Sequence, residues 1–190
     1  RSSAASDVYK RQVEKGEEEG KAAKDFGANV PGHPEYLIST SADLVASKEK
    51  NPELVLASIR SWKEFTGKTS GYDYIENAGE PEGAVYAKSS KTSADVAQLM
   101  NNDGTVKEPT KIFAAWKKWG ITPDKEVAFY CGTGWRAATA FFITKQEGWK
   151  DVRLFDGGWF DWDKAHQKDP SKYPVQIGDP RDKDKVKILK

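Results

Sequence analysis

The chain of 190 residues has one cysteine, one methionine and two histidines, and this scarcity removes several chemistries at once. A lone thiol, Cys131, cannot close an internal disulfide, and with two histidines it supplies too few ligands for a structural zinc site. No excess of charge exists either: 30 basic residues against 29 acidic ones give +1, so no global field draws the chain to nucleic acid or a membrane surface. No apolar run approaches the roughly 20 residues that span a bilayer. The succession of basic, apolar and small residues that marks a secretory leader is missing, as is any internal repeat. The chain starts at Arg1, which reads as a piece with coding sequence upstream. The compartment stays open: a single cysteine favours a reducing, cytoplasmic setting, and export remains available if a leader was encoded upstream.

Residues 1–24 carry few large apolar side chains and are dense in Glu, Lys, Ala and Gly. They cannot bury enough surface to fold alone, so they read as a disordered tail, an expression remnant or the end of an upstream segment. Residues 25–35 hold Gly27, Pro31, Gly32 and Pro34, the composition of a linker. The domain then runs over 36–170, with residues 171–190 as a Lys/Asp/Pro-rich, loosely held tail.

Within the domain, short apolar runs alternate with helical patterns. Strands are expected at Tyr36–Ile38, Leu54–Ile59, Gly83–Tyr86, Val127–Tyr130 and Val152–Phe155. Helices are expected at Ala42–Lys48 after a Ser41 cap, from Ser61 through Phe65, over Thr110–Trp119, Ala137–Gln146 and Trp159–Ala165. Ile112, Phe113, Trp116 and Trp119 share one helical face. Residues 67–83 read as a surface excursion. The alternation predicts an α/β domain whose central sheet is mostly parallel and flanked by helices. In such sheets ligands bind beyond the carboxyl ends of the strands.

Cys131 stands at that end of the Val127–Tyr130 strand, on the turn Cys131-Gly132-Thr133-Gly134-Trp135-Arg136 that leads into a helix. Unpaired amides and the positive end of a helix favour a thiolate, so the sulfur reads as reactive rather than as a small buried hydrophobe. This requires a sulfur open to solvent and amides turned toward it.

Cys131 to Arg136 resembles the active-site loop of rhodanese-family sulfurtransferases, and Val152 to Trp162, with Asp156-Gly157-Gly158-Trp159 at its centre, is similar to that family's C-terminal signature. Ile59-Arg60-Ser61-Trp62 and Ser70-Gly71-Tyr72-Asp73-Tyr74 resemble the second domain of two-domain bacterial thiosulfate or mercaptopyruvate sulfurtransferases. The resemblance implies a single rhodanese-like domain, with a sister domain upstream in the full-length protein. It implies a catalytic Cys131 that takes sulfur from a small anionic donor, thiosulfate or 3-mercaptopyruvate, as a persulfide and passes it to cyanide or a thiol. Substrate would be held by Gly132, Thr133, Gly134, Trp135 and Arg136, with Arg60 as a further contact, and no metal or organic cofactor is implied.

Plainer readings stand beside these. Arg60 ends a strand and could serve an internal ion pair instead, and Asp156 to Trp159 could be a tight turn that brings backbone beside the loop. Glu64 falls where some two-domain relatives carry arginine, a charge that would repel thiosulfate if turned into the site. His33 and His166 read as incidental. The alternatives to a sulfurtransferase are a sulfur carrier or docking module with little turnover, and a Cys-Arg loop phosphatase or arsenate reductase. The last typically needs a wider loop than the four residues that separate Cys131 from Arg136.

Overall fold

The computed structural model describes residues 27–190. Residues 27–32 group with the N-terminal part of the chain, and the fold proper is His33–Lys190. The tail expected at 1–24 lies outside the described residues, as do the first two positions of the expected linker.

After a 3-10 turn at Pro34–Tyr36 come β1 (Leu37–Ile38), α1 (Ser41–Lys50), β2 (Val55–Ser58), α2 (Trp62–Phe65), β3 (Glu80–Pro81), β4 (Val85–Tyr86), α3 (Pro109–Lys117), β5 (Val127–Tyr130), α4 (Trp135–Gln146), β6 (Val152–Phe155), α5 (Gly158–Lys168), β7 (Val175–Ile177) and β8 (Lys187–Leu189). Five strands form a parallel sheet in the order β1-β6-β5-β2-β4, with helices on both faces. The fold is therefore the α/β class read from the sequence.

The middle strand explains its own composition. β5 is buried at all four positions, and its side chains alternate between two cores. Val127 and Phe129 join Ile112, Trp116, Ala137 and Phe141, the side of α3 and α4. Ala128 and Tyr130 join Leu44, Phe65, Phe155 and Trp159, the side of α1, α2 and α5. Cys131 continues the alternation onto the α3/α4 side.

Caps set the helix boundaries. α1 starts one residue earlier than expected, with Thr40 as N-cap and Asp43 closing a capping box. Ser41 instead donates from its amide and its hydroxyl to Asp161 Oδ2, each at 2.6 Å, which ties α1 to α5. Ser61 caps α2 as expected, and Glu64 completes that box.

Two segments differ from expectation. Residues 171–190 are not a loose tail: β7 pairs antiparallel with both β3 and β8. Gln176 is buried there because its side chain serves the backbone, accepting from Gly83 N and donating to Ala84 O, each at 2.9 Å. Residues 67–83 are likewise more than a surface excursion, since Ile75, Glu80 and Pro81 are buried. Among the described residues, no helix is long and apolar enough to cross a membrane.

Candidate active site

The turn after β5 is shaped from outside by α5. The first amides of that helix, Trp159 N and Phe160 N, donate to the carbonyls of Cys131 and Gly132 at 2.9 and 3.0 Å. Gly158 has φ +57°, and a Cβ there would lie 2.7 Å from both carbonyl oxygens, so only glycine permits this approach. The Asp156 to Trp159 turn thus places backbone beside the loop. With the carbonyls so engaged, none of the amides from Gly132 to Arg136 has a protein acceptor among the described residues. Gly134, at φ +82°, caps α4, and the positive end of this twelve-residue helix adds to the amides around Cys131.

The sulfur itself is not open. Cys131 is 1% exposed, contrary to the requirement set by the sequence reading. Tyr72 packs on the same turn, its ring so close that a Cβ on Gly132 would run into it. The Tyr72 hydroxyl accepts from Arg136 Nη2 at 2.6 Å. Burial, then the charge of Cys131, push its pKa up to about 12 against the pull of Arg136, so the phenol keeps its proton at neutral pH.

Arg136, the second residue of α4, is 7% exposed. Its Nη1 donates to Glu64 Oε2 at 3.1 Å and to Thr92 O at 3.0 Å, and its Nη2 to Glu64 Oε1 at 2.8 Å. The fork expected to grip an oxyanion is therefore occupied by a carboxylate of the protein. Only Nε is left without a partner. Burial alone would raise the Glu64 pKa, yet the hydrogen bonds and charge of Arg136 outweigh it and hold the carboxyl below its usual range.

Arg60 stands apart from the loop, in the interior. Its Nη1 donates to Gly79 O at 2.5 Å and Glu80 Oε1 at 2.9 Å, its Nη2 to Ser70 O at 2.7 Å, and its Nε to Glu64 Oε1 at 3.4 Å. It is fully buried, with its guanidinium 5.3 Å from the centre of the Trp159 ring. The structure thus places the expected substrate contact in an internal ion-pair network, because every guanidinium nitrogen already has a protein acceptor. Glu80 closes that network, with Tyr130 Oη donating to its other oxygen.

Gly132 and Gly134 are buried within the turn, Thr133 is half-buried, and Trp135 stands 85% exposed on the rim. A cleft of about 500 Å³ reaches the partners of Arg136, lined among others by Lys63, Glu64, Tyr72, Asp73, Lys91 and Thr92. His33 and His166 bond elsewhere, to Glu35 and to Tyr173 O. Among the described residues, no group of three or more His, Cys, Asp or Glu is placed to hold a metal. Tyr72 and Thr92 carried no assigned role in the sequence. Tyr72 was legible only as an aromatic in a glycine-bearing motif, and Thr92 acts through its carbonyl, which no side-chain pattern reveals.

The site is thus a cysteine that opens a glycine-bearing turn between the central strand and a helix of a parallel α/β domain. Residues 41–165 match the Rhodanese-like domain family, and the chain belongs to that family. It is 41% identical over 159 residues to the thiosulfate sulfurtransferase YnjE of Escherichia coli K12, covering 84% of this chain and 35% of that protein. The crystal structure of YnjE superposes with TM-score 0.71 at 39% identity, over 82% of this chain and 36% of that one. The sulfur carrier protein TtuD of Thermus thermophilus is 31% identical over 70% of this chain and 47% of its own length. An anaerobic ergothioneine biosynthesis enzyme of Chlorobium limicola, solved with its natural substrate trimethyl histidine, gives TM-score 0.72 at 37% identity, over 82% of this chain and 35% of that one. The chain thus spans about a third of YnjE and of the Chlorobium enzyme.

Proposed function

We propose that Cys131 takes the outer sulfur of a small anionic donor such as thiosulfate, carries it as a persulfide, and passes it to a thiophilic acceptor, cyanide or a thiol. The Cys131 thiolate attacks the outer sulfur, the donor S–S bond breaks, and sulfite leaves with the electron pair. The observation that supports this most is the run of five amides, Gly132 to Arg136, left without protein acceptors at the start of α4. Arg136 Nε adds one further donor. The YnjE match supports thiosulfate and is compatible with a further domain upstream in the whole protein.

The test is mass spectrometry of the peptide holding Cys131 after exposure to thiosulfate, with a gain of about 32 Da expected for one sulfur. No such gain with thiosulfate or with cysteine hydropersulfide, or an equal gain in Cys131→Ser, overturns the reading. A stable persulfide that neither cyanide nor small thiols discharge would mark a carrier, the role that the name of TtuD gives that relative.

A second acceptor is favoured by an aromatic series beside the loop. Tyr72 and Tyr74 lie 5.4 Å apart, Tyr74 and Phe160 6.0 Å, and Tyr74 is 60% exposed. Aromatic faces suit a trimethylammonium group, and trimethyl histidine is the substrate of the Chlorobium relative. Incubating persulfide-loaded protein with trimethyl histidine tests this: sulfur should appear on the small molecule, and an unchanged persulfide refutes it.

A further inference from the structure

We infer that Glu64 sets the choice of sulfur donor, by cancelling the charge of Arg136 and so matching the site to an organic hydropersulfide rather than to dianionic thiosulfate. The inference rests on the persulfide reading of Cys131 given above. Three observations carry it. Glu64 occupies both terminal nitrogens of Arg136, at 2.8 and 3.1 Å, and the carboxylate is itself buried, so solvent does little to screen the pair. The remaining hydrogens of those nitrogens go to Thr92 O and Tyr72 Oη, which leaves Nε as the only unpartnered donor of a nearly buried arginine. A single N–H can steady one atom of a donor, whereas gripping a sulfonate-like end calls for two parallel bonds. Beside the pair, the cleft lined by Glu64 also carries the carboxylate of Asp73, a second negative charge a dianion would meet.

Glu64 is also held too firmly to turn away. Its Oε2 accepts from the amide and hydroxyl of Ser61 at 2.9 and 2.6 Å, and its Oε1 from Arg60 Nε at 3.4 Å. Gly71, at φ +82°, packs so tightly on the carboxyl that a Cβ there would collide with it. A dianion entering this site meets a fixed negative charge next to the arginine it would use, and that repulsion is weaker for a hydropersulfide, whose sulfur carries at most one negative charge. In the step inferred, the Cys131 thiolate attacks the terminal sulfur of R–S–SH. The R–S–S bond breaks, Cys131–S–SH forms, and the thiolate RS⁻ leaves with the electron pair, so no external oxidant or reductant enters. Glu64 acts here through Arg136, as a positioning residue.

The test measures the second-order rate at which Cys131 gains one sulfur, by quenched mass spectrometry, with cysteine hydropersulfide and with thiosulfate as donors. In the wild-type protein the hydropersulfide is expected to load Cys131 faster, by about tenfold or more. In Glu64→Gln the ratio of thiosulfate rate to hydropersulfide rate should rise by about tenfold, since one fixed charge is removed. Glu64→Asp keeps the charge and disturbs the same cap, so its ratio should stay with the wild type; a shift as large as that of Gln would mean packing, not charge, sets it, and overturn the inference. Thiosulfate ahead in the wild-type protein, or a ratio unmoved by Gln, overturns it too, and the wild-type comparison needs no variant to fold. Loading from neither donor overturns the persulfide reading itself and takes this inference with it.

Discussion

Gly158 and Cys131 meet through their backbones: Cys131 O accepts from Trp159 N at 2.9 Å, and any Cβ on Gly158 would stand 2.7 Å from that oxygen. The contact holds the carbonyl side of the loop against α5. Gly158→Ala should therefore cost about 1–3 kcal/mol of stability through backbone strain and collision. It should also slow sulfur uptake at Cys131 more than stability alone accounts for, because the loop shifts. Urea denaturation and sulfur loading measured on the folded fraction check both parts.

Tyr72 offers a separable pair of variants. Tyr72→Phe keeps the ring over the loop and loses the hydroxyl that accepts from Arg136. Tyr72→Ala removes the ring. Alkylation of Cys131 by iodoacetamide should be slow in the wild type and in Phe, and roughly tenfold faster or more in Ala, since thiol reactivity follows access. Equal rates in all three proteins would show that the ring does not guard the sulfur.

Arg60 distinguishes scaffold from substrate contact. Arg60→Met leaves Glu80 without its cation and Glu64 with one fewer, both in the interior. Breaking a buried pair from one side costs about 3–5 kcal/mol, so the urea midpoint should fall sharply. Any folded fraction should still load sulfur, since none of the hydrogen bonds of Arg60 reaches the cysteine turn. A raised KM for thiosulfate at normal stability would instead restore Arg60 as a substrate contact.

The two buried carboxylates should respond to pH with opposite signs. Glu64 is held below its ordinary value of 4.5 when folded, mainly by Arg136 working against burial. The unfolded chain then binds the proton more readily, so the stabilisation is present above about pH 4.5 and fades as pH falls through the lower folded value. Glu80 is raised above 4.5 by burial, which outweighs Arg60, so its contribution declines as pH climbs from 4.5 through the higher folded value. Denaturation of Glu64→Gln and Glu80→Gln against the wild type between about pH 3 and 7 should show the first difference shrinking toward acid and the second shifting the other way. Parallel curves would contradict the assignment.

The sequence disclosed the central fold because that part obeys simple periods. β5 and β6 matched residue for residue, and β5 did so as an apolar run buried at every position of a parallel sheet. The cysteine turn and the approach of Gly157-Gly158 were legible as glycine chemistry. What stayed hidden depends on partners far away in the chain. β8 is exposed at all three positions and shows no alternation, so only pairing with β7 makes it a strand. Thr40, not Ser41, caps α1, because Ser41 is claimed by Asp161, 120 residues later. An internal ion pair was among the readings open to Arg60, but that its partners are Glu64 and Glu80, and that Arg136 shares Glu64, appears only once the chain is folded.

The small antiparallel sheet gives the last stretch of the chain a part in the chemistry it never touches. β7 lies beside Glu80 and Pro81, and Gln176 fastens the Gly83 and Ala84 backbone that follows. Glu80 in turn anchors Arg60, Arg60 steadies Glu64, and Glu64 fixes Arg136. Cutting the protein just past α5 would spare every residue of the cysteine turn and still unmoor the arginine beside it, so a minimal active domain has to run through β7.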